Sequence, residues 1–538
     1  MHRSPCSLTL LLAAVGVAAS AGEAARPKPG YLVVASKRAM PVLAPLLERR
    51  AERFDVSVLT VEELTPRGEA LAPAVLKRAV RARHAPTRPV SHLLLVGDTR
   101  AGADGLRAIP THPSGFDPWF GVLATDDTRS SPPARHRPAL AVGRFPASTV
   151  GELEVMVQKT LAYETTSRPG PWQRQVHVVA ATADFGPVAD LLIDRAAVAV
   201  LDGAIPPAYS LSVTRGLTSS PYAYPPDEFE RRVTELFDDG PLLVVYLGHG
   251  KPYSAYRVRG FMSGKILDCA TMRRLRCPAE RRPVAVFLAC SMGRFDGRRD
   301  GVAEAGLKAA GGPVAFVASF RRNHIYGNAV FGLELSRALF DPREPTLGDC
   351  VRRAQRRLVR PDGAPDPIRL TLDALALADP KKRVPRDKHP GLLVEHVYLY
   401  GLLGDPALRL ARPALAVERL AVTLAPNRSH WTVEGRVPAM AEGTALVTLE
   451  VPRAAVRATL EPVSPQNPAW RAVMKRNYAA ANAKVVAQAR THIEKGRFRA
   501  VLPAPPGACI IKVFAWNPQR SALGATRVTR TPKEGNPQ

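Results

Sequence analysis

Two short apolar runs in the middle of the chain constrain its fold most strongly. Leu242–Leu247 leads to His249, and Pro283–Ala289 leads to Cys290, each within a turn of small residues. Short apolar runs bounded by glycine are typical of buried parallel strands. Reactive side chains in an open α/β sheet collect beyond the carboxyl ends of its strands. We therefore expect His249 and Cys290 to face one shared cleft.

The flanking sequence alternates between strand and helix patterns, which predicts right-handed βαβ units and a parallel sheet. Strands are predicted at 31–35, 56–60, 91–96, 139–144, 175–181, 313–318 and 397–403, and helices at 40–54, 62–82, 149–164, 190–200, 225–237, 302–309, 328–340 and 347–358. Thr149 and Glu152 form a capping-box pattern at one helix start. The breaker cluster Arg168–Pro171 separates two predicted α/β subdomains, residues 30–168 and a catalytic part at 169–412.

The pattern changes after Pro413 to short alternating strands with turn residues between them. Such runs are typical of a small antiparallel sandwich, predicted here over residues 415–530. The segment Asn467–Lys495 interrupts it with an Ala-rich, basic helical pattern. We expect that insertion to be a solvated surface element.

The N-terminus has the pattern of a signal peptide over residues 1–21. A positive start precedes the apolar core Leu8–Ala19, and Ala19–Ala21 supplies a small-residue cleavage site. The alternative is an uncleaved membrane anchor, although the core is short for a span, and no later window is apolar enough for one. We expect a secreted or periplasmic protein without a membrane span after signal removal.

Five cysteines remain after removal of the signal peptide, and an odd number in an oxidising compartment predicts one free thiol. If Cys290 is that thiol, the other four allow three pairings. Cys269–Cys277 is the simplest of these because the two residues are close in sequence.

The formal charge of +27, from 75 Lys and Arg against 48 Asp and Glu, attracts anionic partners such as acidic polymers or envelope surfaces, although a generally basic exported surface is the favoured account of it. No nucleic-acid-binding motif accompanies this charge, so we expect no nucleic acid partner. The histidines are scattered, and the sequence has no pair of cysteines at the spacing of metal ligands. We therefore expect no metal site and no required cofactor. A structural calcium ion on Asp126 and Asp127 is an alternative to two solvated loop carboxylates.

The residues at the two strand ends suit nucleophilic catalysis. An ionised cysteine is a strong nucleophile, and His249 can favour its thiolate or protonate a leaving amine. The backbone N–H groups of Gly250 and Cys290 can form an oxyanion hole. Asp184, which follows the strand at 175–181, is the candidate that orients the imidazole. An inert buried thiol and a structural histidine are the alternative, which is less favoured when both occur at strand ends.

The GHG after one apolar strand and the AC after the next resemble the caspase-like cysteine peptidases, and the gingipain family in particular. The resemblance extends over most of residues 30–410 through flanking blocks: LLLVGD at 93–98, AVGRFPAST at 141–149, KTLAYE at 159–164, EAGLKAAGGPVAFVAS at 304–319 and YGLLGDPALRL at 400–410. It implies a two-part caspase-like catalytic domain followed by an immunoglobulin-like domain. By this likeness Cys290 and His249 form the catalytic pair, and Asp184 holds the position of the acidic orienting residue.

The same resemblance bears on substrate preference. Family members that cut after Arg or Lys hold the basic side chain with an acidic residue shortly after the orienting acid. Asp190 and Asp194 fall in that region, with Arg195 beside them, and Tyr326 matches an aromatic wall of the pocket by loose placement. The likeness therefore implies some preference for basic residues before the scissile bond.

An exported cysteine endopeptidase acting on proteins or peptides is the leading hypothesis. A catalytically silent, peptidase-like protein that binds an anionic envelope or polymer is the competing one. A transpeptidase, in which an amine resolves the same acyl-enzyme, is the third.

Overall fold

The computed structural model describes residues 28–84, 89–102, 104–114, 123–125, 137–182, 203–258, 263–359, 366–378, 384–456 and 459–531. The described strands are β1 (Gly30–Ala35), β2 (Asp55–Thr60), β3 (Val90–Val96), β4 (His112–Ser114), β5 (Leu123–Thr125), β6 (Ala141–Phe145), β7 (Gln175–Ala180), β8 (Ser210–Arg215), β9 (Leu243–Leu247), β10 (Ser254–Val258), β11 (Gly264–Asp268), β12 (Val284–Leu288), β13 (Ala315–Ser319), β14 (Tyr400–Leu403), β15 (Leu415–Ala416), β16 (Glu418–Leu424), β17 (His430–Arg436), β18 (Glu442–Glu450), β19 (Val485–Glu494), β20 (Arg497–Pro503), β21 (Gly507–Trp516) and β22 (Ser521–Arg530). The described helices are α1 (Met40–Ala51), α2 (Val61–Leu64), α3 (Pro73–Arg83), α4 (Val150–Thr166), α5 (Phe229–Asp238), α6 (Cys269–Arg273), α7 (Val302–Lys308), α8 (Ile325–Leu339), α9 (Leu347–Leu358), α10 (Pro367–Ala378), α11 (His389–Leu399) and α12 (Trp470–Asn482).

One ten-stranded sheet, in the order β2-β1-β3-β6-β14-β13-β12-β9-β7-β8, joins the two predicted α/β halves. Neighbouring strands are parallel except β13 and β14, which pair antiparallel. The two halves of the sheet therefore run in opposite directions. As a result β13, β12, β9, β7 and β8 share one carboxyl edge, the edge at which the predicted catalytic residues follow their strands.

Both faces of this sheet are covered, as the uninterrupted apolar runs predict. In β12, Ala285 and Phe287 belong to the hydrophobic core on one face, while Val284 and Val286 belong to the core on the other. The second core includes Val330 and other residues of α8. The mixed α/β fold with a large, mainly parallel sheet confirms the fold class expected from the sequence.

A second sheet of eight strands, β15-β22-β21-β18-β19-β20-β17-β16, follows the first and is almost entirely antiparallel. Its apolar side chains form a separate core around residues such as Val433, Val447 and Val513. The predicted small β-sandwich is consistent with this sheet. Within the described residues, no helix is long and apolar enough to cross a membrane.

Several local predictions were wrong. The helix expected at 62–82 is divided into α2 and α3, because Pro66 and Gly68 lie between them and Gly68 has a positive φ of 81°. The segment 397–399 belongs to α11, so β14 begins only at Tyr400. The predicted helix at 190–200 lies outside the described residues. The capping prediction for α4 is confirmed in part: Thr149 Oγ1 accepts a hydrogen bond from Glu152 N, whereas the Glu152 carboxylate accepts from Ser148 N.

The insertion at 467–495 also differs from expectation. Its second half is strand β19, and its first half, α12, is not a solvated element. Tyr478 is buried, and its hydroxyl lies 2.8 Å from Thr214 Oγ1 on β8. Asn482 accepts from Val213 N at 2.9 Å and donates to Val213 O at 3.0 Å. The helix therefore covers the edge strand of the first sheet, where exposed backbone groups would otherwise template aggregation.

Candidate active site

The register of β9 and β12 determines how the two predicted catalytic residues are related. The strands are parallel, and their last paired residues are Leu247 and Leu288. Gly248 N continues the ladder with a 3.4 Å hydrogen bond to Leu288 O. Two residues further along each chain stand His249 and Cys290. Adjacent strands lie about 4.8 Å apart, so the register brings the two residues to the same level of neighbouring strands.

The apolar residues that lead to His249 and Cys290 lie on one face of the sheet. Leu243, Val245 and Leu247 on β9 contribute to the core beneath α8, as do Val284, Val286 and Leu288 on β12. Residues 249 and 290 are the next alternate positions after these two series, beyond the last residue of each strand. The Cys290 thiol contacts the loop before α8, as described below.

The turn around His249 is shaped by two glycines. Gly248 has a φ of 149°, and a Cβ there would lie 2.5 Å from the Cβ of Ala181 at the end of β7. A Cβ at Gly250 would lie 2.5 Å from the carbonyl oxygen of Cys290. The hydroxyl of Tyr246 donates a 2.6 Å hydrogen bond to the carbonyl oxygen of His249. The histidine turn is thus packed directly against the cysteine turn.

The turn after Cys290 contains an unusual backbone conformation. Ser291 has a φ of 57°, in the left-handed region that non-glycine residues rarely adopt. Its N–H donates to Arg321 O at 2.8 Å, and the N–H of Gly293 donates to Ser319 O at 2.9 Å. Such strain persists only where the surroundings enforce it, and it is enriched at functional sites. Here the loop after β13 holds the chain in a sharp bend immediately beyond the cysteine.

The hydrogen bonds of the Cys290 thiol, within the described residues, both go to Asn323. The sulfur lies 3.1 Å from Asn323 Oδ1 and 3.7 Å from Asn323 O. Burial raises the pKa of the thiol, and a backbone hydrogen bond at Asn323 and the charge of Arg322 oppose this without cancelling it. Asn323 was not among the residues predicted from the sequence. The signal was a polar segment, RRNH, directly beyond a strand that neighbours the cysteine strand.

Charged side chains surround this bend. Both terminal nitrogens of Arg321 contact the carboxylate of Asp296, and Arg294 Nε lies 3.3 Å from it. Burial acts to raise the pKa of Asp296, but the hydrogen bonds and charges of Arg321 and Arg294 lower it overall. The ion pairs tie the loop after Cys290 to the loop after β13.

Tyr326, the predicted pocket wall, is the second residue of α8 and is buried. Its hydroxyl donates to Asp373 Oδ1 at 2.7 Å, and its ring centroid lies 4.3 Å from that of His389. These contacts pack α8 against α10 and α11. A role for Tyr326 in substrate binding stays a prediction.

The acidic candidates Asp184, Asp190 and Asp194 lie outside the described residues, as do Asp126 and Asp127. The described residues before Asp184 end at Thr182, just past β7. There the N–H of Ala181 donates to Leu247 O at 2.9 Å, so the chain that leads to Asp184 departs beside the histidine strand. Within the described ranges no group of three or more His, Cys, Asp or Glu side chains could hold a metal ion.

The simplest disulfide pairing was wrong, because Cys269 and Cys277 are both free, as are Cys290 and Cys350. Cys269 is the first residue of α6, and its thiol donates to Tyr253 O and Asp300 O. Cys277 follows that helix and is buried, and its N–H donates to Gly311 O. The two thiols have different charged neighbours, Arg273 and Asp300 for Cys269 and Asp238 and Arg282 for Cys277.

A parallel sheet that carries a histidine and a cysteine at the same level of adjacent strand ends is the arrangement of the caspase-like cysteine peptidases. The profile of peptidase family C25 matches residues 24–411, which is more than half of the chain. The chain therefore belongs to peptidase family C25, the gingipain family, as the resemblance implied.

Solved structures share this fold at low sequence identity. The Arg-specific cysteine proteinase gingipain R (RgpB) superposes with a TM-score of 0.53 at 15% identity, covering 93% of this chain and 97% of that one. The complex of the RgpB pro- and mature domains from Porphyromonas gingivalis gives a TM-score of 0.52 at 14% identity, covering 92% and 99%. A structure described only as a protease gives 0.53 at 14% identity, covering 93% and 97%. The search of curated proteins gives no significant match.

Proposed function

We propose that the protein is an exported cysteine endopeptidase in which Cys290 is the nucleophile and His249 the acid/base. The observation that carries this proposal is the register of Leu247 with Leu288, from which the two residues follow at one level. Membership of peptidase family C25 supports the class of reaction. The signal-peptide pattern at residues 1–21 supports export.

The reaction begins when His249 takes the proton of the Cys290 thiol as sulfur attacks the scissile carbonyl carbon. The oxyanion that forms accepts hydrogen bonds from the backbone N–H groups of Gly250 and Cys290. His249 then gives the proton to the leaving amine, and the C–N bond breaks to leave an acyl-enzyme. Water, deprotonated by His249, hydrolyses the thioester and regenerates the thiol. Asp184 orients the imidazole in this scheme.

Proteins or peptides are the substrates, with some preference for a basic residue before the scissile bond. The resemblance to family members with that preference supports this assignment, with Asp190 and Asp194 as the carboxylates and Tyr326 as an aromatic wall. The net charge of +27 gives the enzyme an additional attraction to anionic surfaces.

The test compares the reduced mature protein with three variants on a peptide library read by mass spectrometry. We expect Cys290→Ala and His249→Ala to abolish cleavage. Cys269→Ala, which removes another half-buried thiol, should cleave like the parent. Equal cleavage by the parent and Cys290→Ala would refute the peptidase. Products that carry an added amine would identify a transpeptidase, and an inactive parent with an unreactive Cys290 would favour the binding protein.

A further inference from the structure

The side-chain amide of Asn323 is held in a single orientation by its neighbours. Its Nδ2 donates to the carbonyl oxygen of Ala289 at 3.2 Å, and a carbonyl oxygen can only accept. The Oδ1 atom must therefore face the other way, toward the Cys290 sulfur at 3.1 Å. A flipped amide would place Nδ2 against the thiol and Oδ1 against the Ala289 carbonyl, leaving two acceptors in contact.

Two further residues reinforce this orientation. Asn328 Nδ2 donates to Asn323 Oδ1 at 2.8 Å, and the hydroxyl of Tyr400 donates to Asn328 Oδ1 at 2.9 Å. The Tyr400 hydroxyl also accepts from Asn323 Nδ2 at 3.4 Å. Tyr400 itself is buried and stacks on Phe331 with ring centroids 4.0 Å apart. The amide beside the nucleophile is thus anchored in the packed layer beneath α8.

A fixed acceptor at this position has a chemical consequence for the thiol. The neutral S–H group can donate a hydrogen bond to Asn323 Oδ1, whereas a thiolate would face the negative end of the same carbonyl dipole. A hydrogen bond made only by the neutral form disfavours ionisation. We propose that Asn323 is a positioning residue that keeps the Cys290 thiol protonated and fixes its direction until substrate is bound.

Other groups around the thiol also affect its pKa. Burial acts in the same direction, while the charge of Arg322 and the backbone groups of Asn323 and Cys290 favour the thiolate. Tyr246 and Tyr400 also interact electrostatically with the thiol, and burial raises the pKa of both phenols, so they are neutral near pH 7. His249 follows β9, the strand that pairs with β12.

This inference rests on the proposed function for its catalytic meaning. The proton of Cys290 passes to His249 only as the bond from sulfur to the carbonyl carbon forms. Asn323 Oδ1 then loses the thiol donor and keeps the one from Asn328. A protonated thiol is also less open to adventitious alkylation and oxidation, because the thiolate is the reactive form.

The test measures the rate at which iodoacetamide alkylates Cys290 as a function of pH, read from the mass of the peptide that contains residue 290. We expect Asn323→Ala to lower the midpoint of that profile by about 0.5–1 pH unit. Asn323→Asp places a carboxylate against the sulfur and should raise the midpoint by about 1 unit or more. Asn477→Ala, which removes a buried amide from α12, should leave it unchanged.

Tyr400→Phe keeps the stacked ring and removes only the hydroxyl that orients Asn328, so we expect a smaller downward shift. If circular dichroism shows that Asn323→Ala is misfolded, Tyr400→Phe and Asn323→Asp are compared with the parent instead. An unchanged midpoint in folded Asn323→Ala, or shifts of the same sign in the alanine and aspartate variants, would overturn the inference. Alkylation requires no peptide cleavage, so the two hypotheses can fail separately. If the parent cleaves no peptide but Asn323→Ala and Asn323→Asp still shift the alkylation midpoint in opposite directions, the peptidase is refuted and the effect of Asn323 on the thiol is confirmed.

Discussion

Gly250 and Cys290 are in direct backbone contact across two strand ends. A Cβ at position 250 would lie 2.5 Å from the carbonyl oxygen of Cys290 and 2.6 Å from Cγ of Met292. Neither neighbour can move freely, because Met292 is buried and the next peptide is held by the bond from Ser291 N to Arg321 O. The contact sets the spacing of the two N–H groups assigned to the oxyanion hole.

Gly250→Ala should therefore impair catalysis more than stability. The added methyl group must push the two turns apart, and loss of one oxyanion donor typically costs about 10²–10³ in kcat. Steady-state kinetics on the best library peptide would measure the change. Gly151→Ala on α4 is the matched control, because its Cβ meets no atom within 4 Å. An unaltered kcat in Gly250→Ala would show that Gly250 is not part of the oxyanion hole.

The contact between α12 and β8 should make the two sheets unfold together. Tyr478→Ala removes a buried ring and the hydroxyl bonded to Thr214, a loss of roughly 3–5 kcal/mol for a large aromatic side chain. We expect calorimetry to show a lower melting temperature and two separated unfolding transitions. Arg476→Ala on the same helix removes only an exposed ion pair with Glu461 and should change little. One unshifted transition in Tyr478→Ala would contradict this coupling.

The strand ends at His249 and Cys290 could be predicted because fully buried parallel strands leave uninterrupted apolar runs and end in small residues. The pairing of Leu247 with Leu288 could not, since register depends on packing between strands. The antiparallel pairing of β14 with β13 could not be predicted from the sequence either. Periodicity alone cannot tell a buried helix from a buried strand, so residues 397–399 at the end of α11 were predicted to begin a strand.

Asn323 illustrates why the rest of the site was missed. Its partners Ala289, Asn328 and Tyr400 come from three separate parts of the chain, and no spacing in the sequence relates them. Helix α12 is different, because its buried residues Trp470, Met474 and Tyr478 recur every four positions. That apolar stripe was available in the sequence and was outweighed by the basic residues between its members.

Acid should destabilise the protein through His396. Its ring is fully buried, and burial lowers its pKa to about 4, although the Leu392 and His324 carbonyl oxygens beside its two ring nitrogens favour the charged form and oppose the shift. The unfolded chain binds this proton near pH 6.5. Stability is therefore lost as pH falls from about 6.5 to about 4, by up to about 3 kcal/mol for this residue.

Urea denaturation at intervals between pH 4 and 7 would measure this dependence for the parent and for His396→Gln. Glutamine cannot take up the proton, so we expect the variant to have a shallower loss of stability over this interval, whatever its absolute stability. Identical slopes for the two proteins would show that His396 is not a source of the acid sensitivity.

Glu304 should have the opposite pH dependence. Burial raises its pKa to about 8, despite the hydrogen bond from Gly301 N at 2.8 Å and the nearby charge of Lys308. The folded state holds a proton that the unfolded chain releases near pH 4.5, so stability declines as pH rises from about 4.5 to 8. Glu304→Gln keeps an acceptor for Gly301 N and needs no proton.

We expect Glu304→Gln to be more stable than the parent at pH 8, by up to ~4 kcal/mol, and equally stable at pH 4, where the carboxyl is neutral in both states. Urea denaturation at the two pH values measures the difference. Glu154→Gln, at an exposed position of α4, should show no such pH-dependent gain. A gain of equal size at pH 4 and pH 8 would contradict a proton held by Glu304, because only the ionised unfolded form creates the difference.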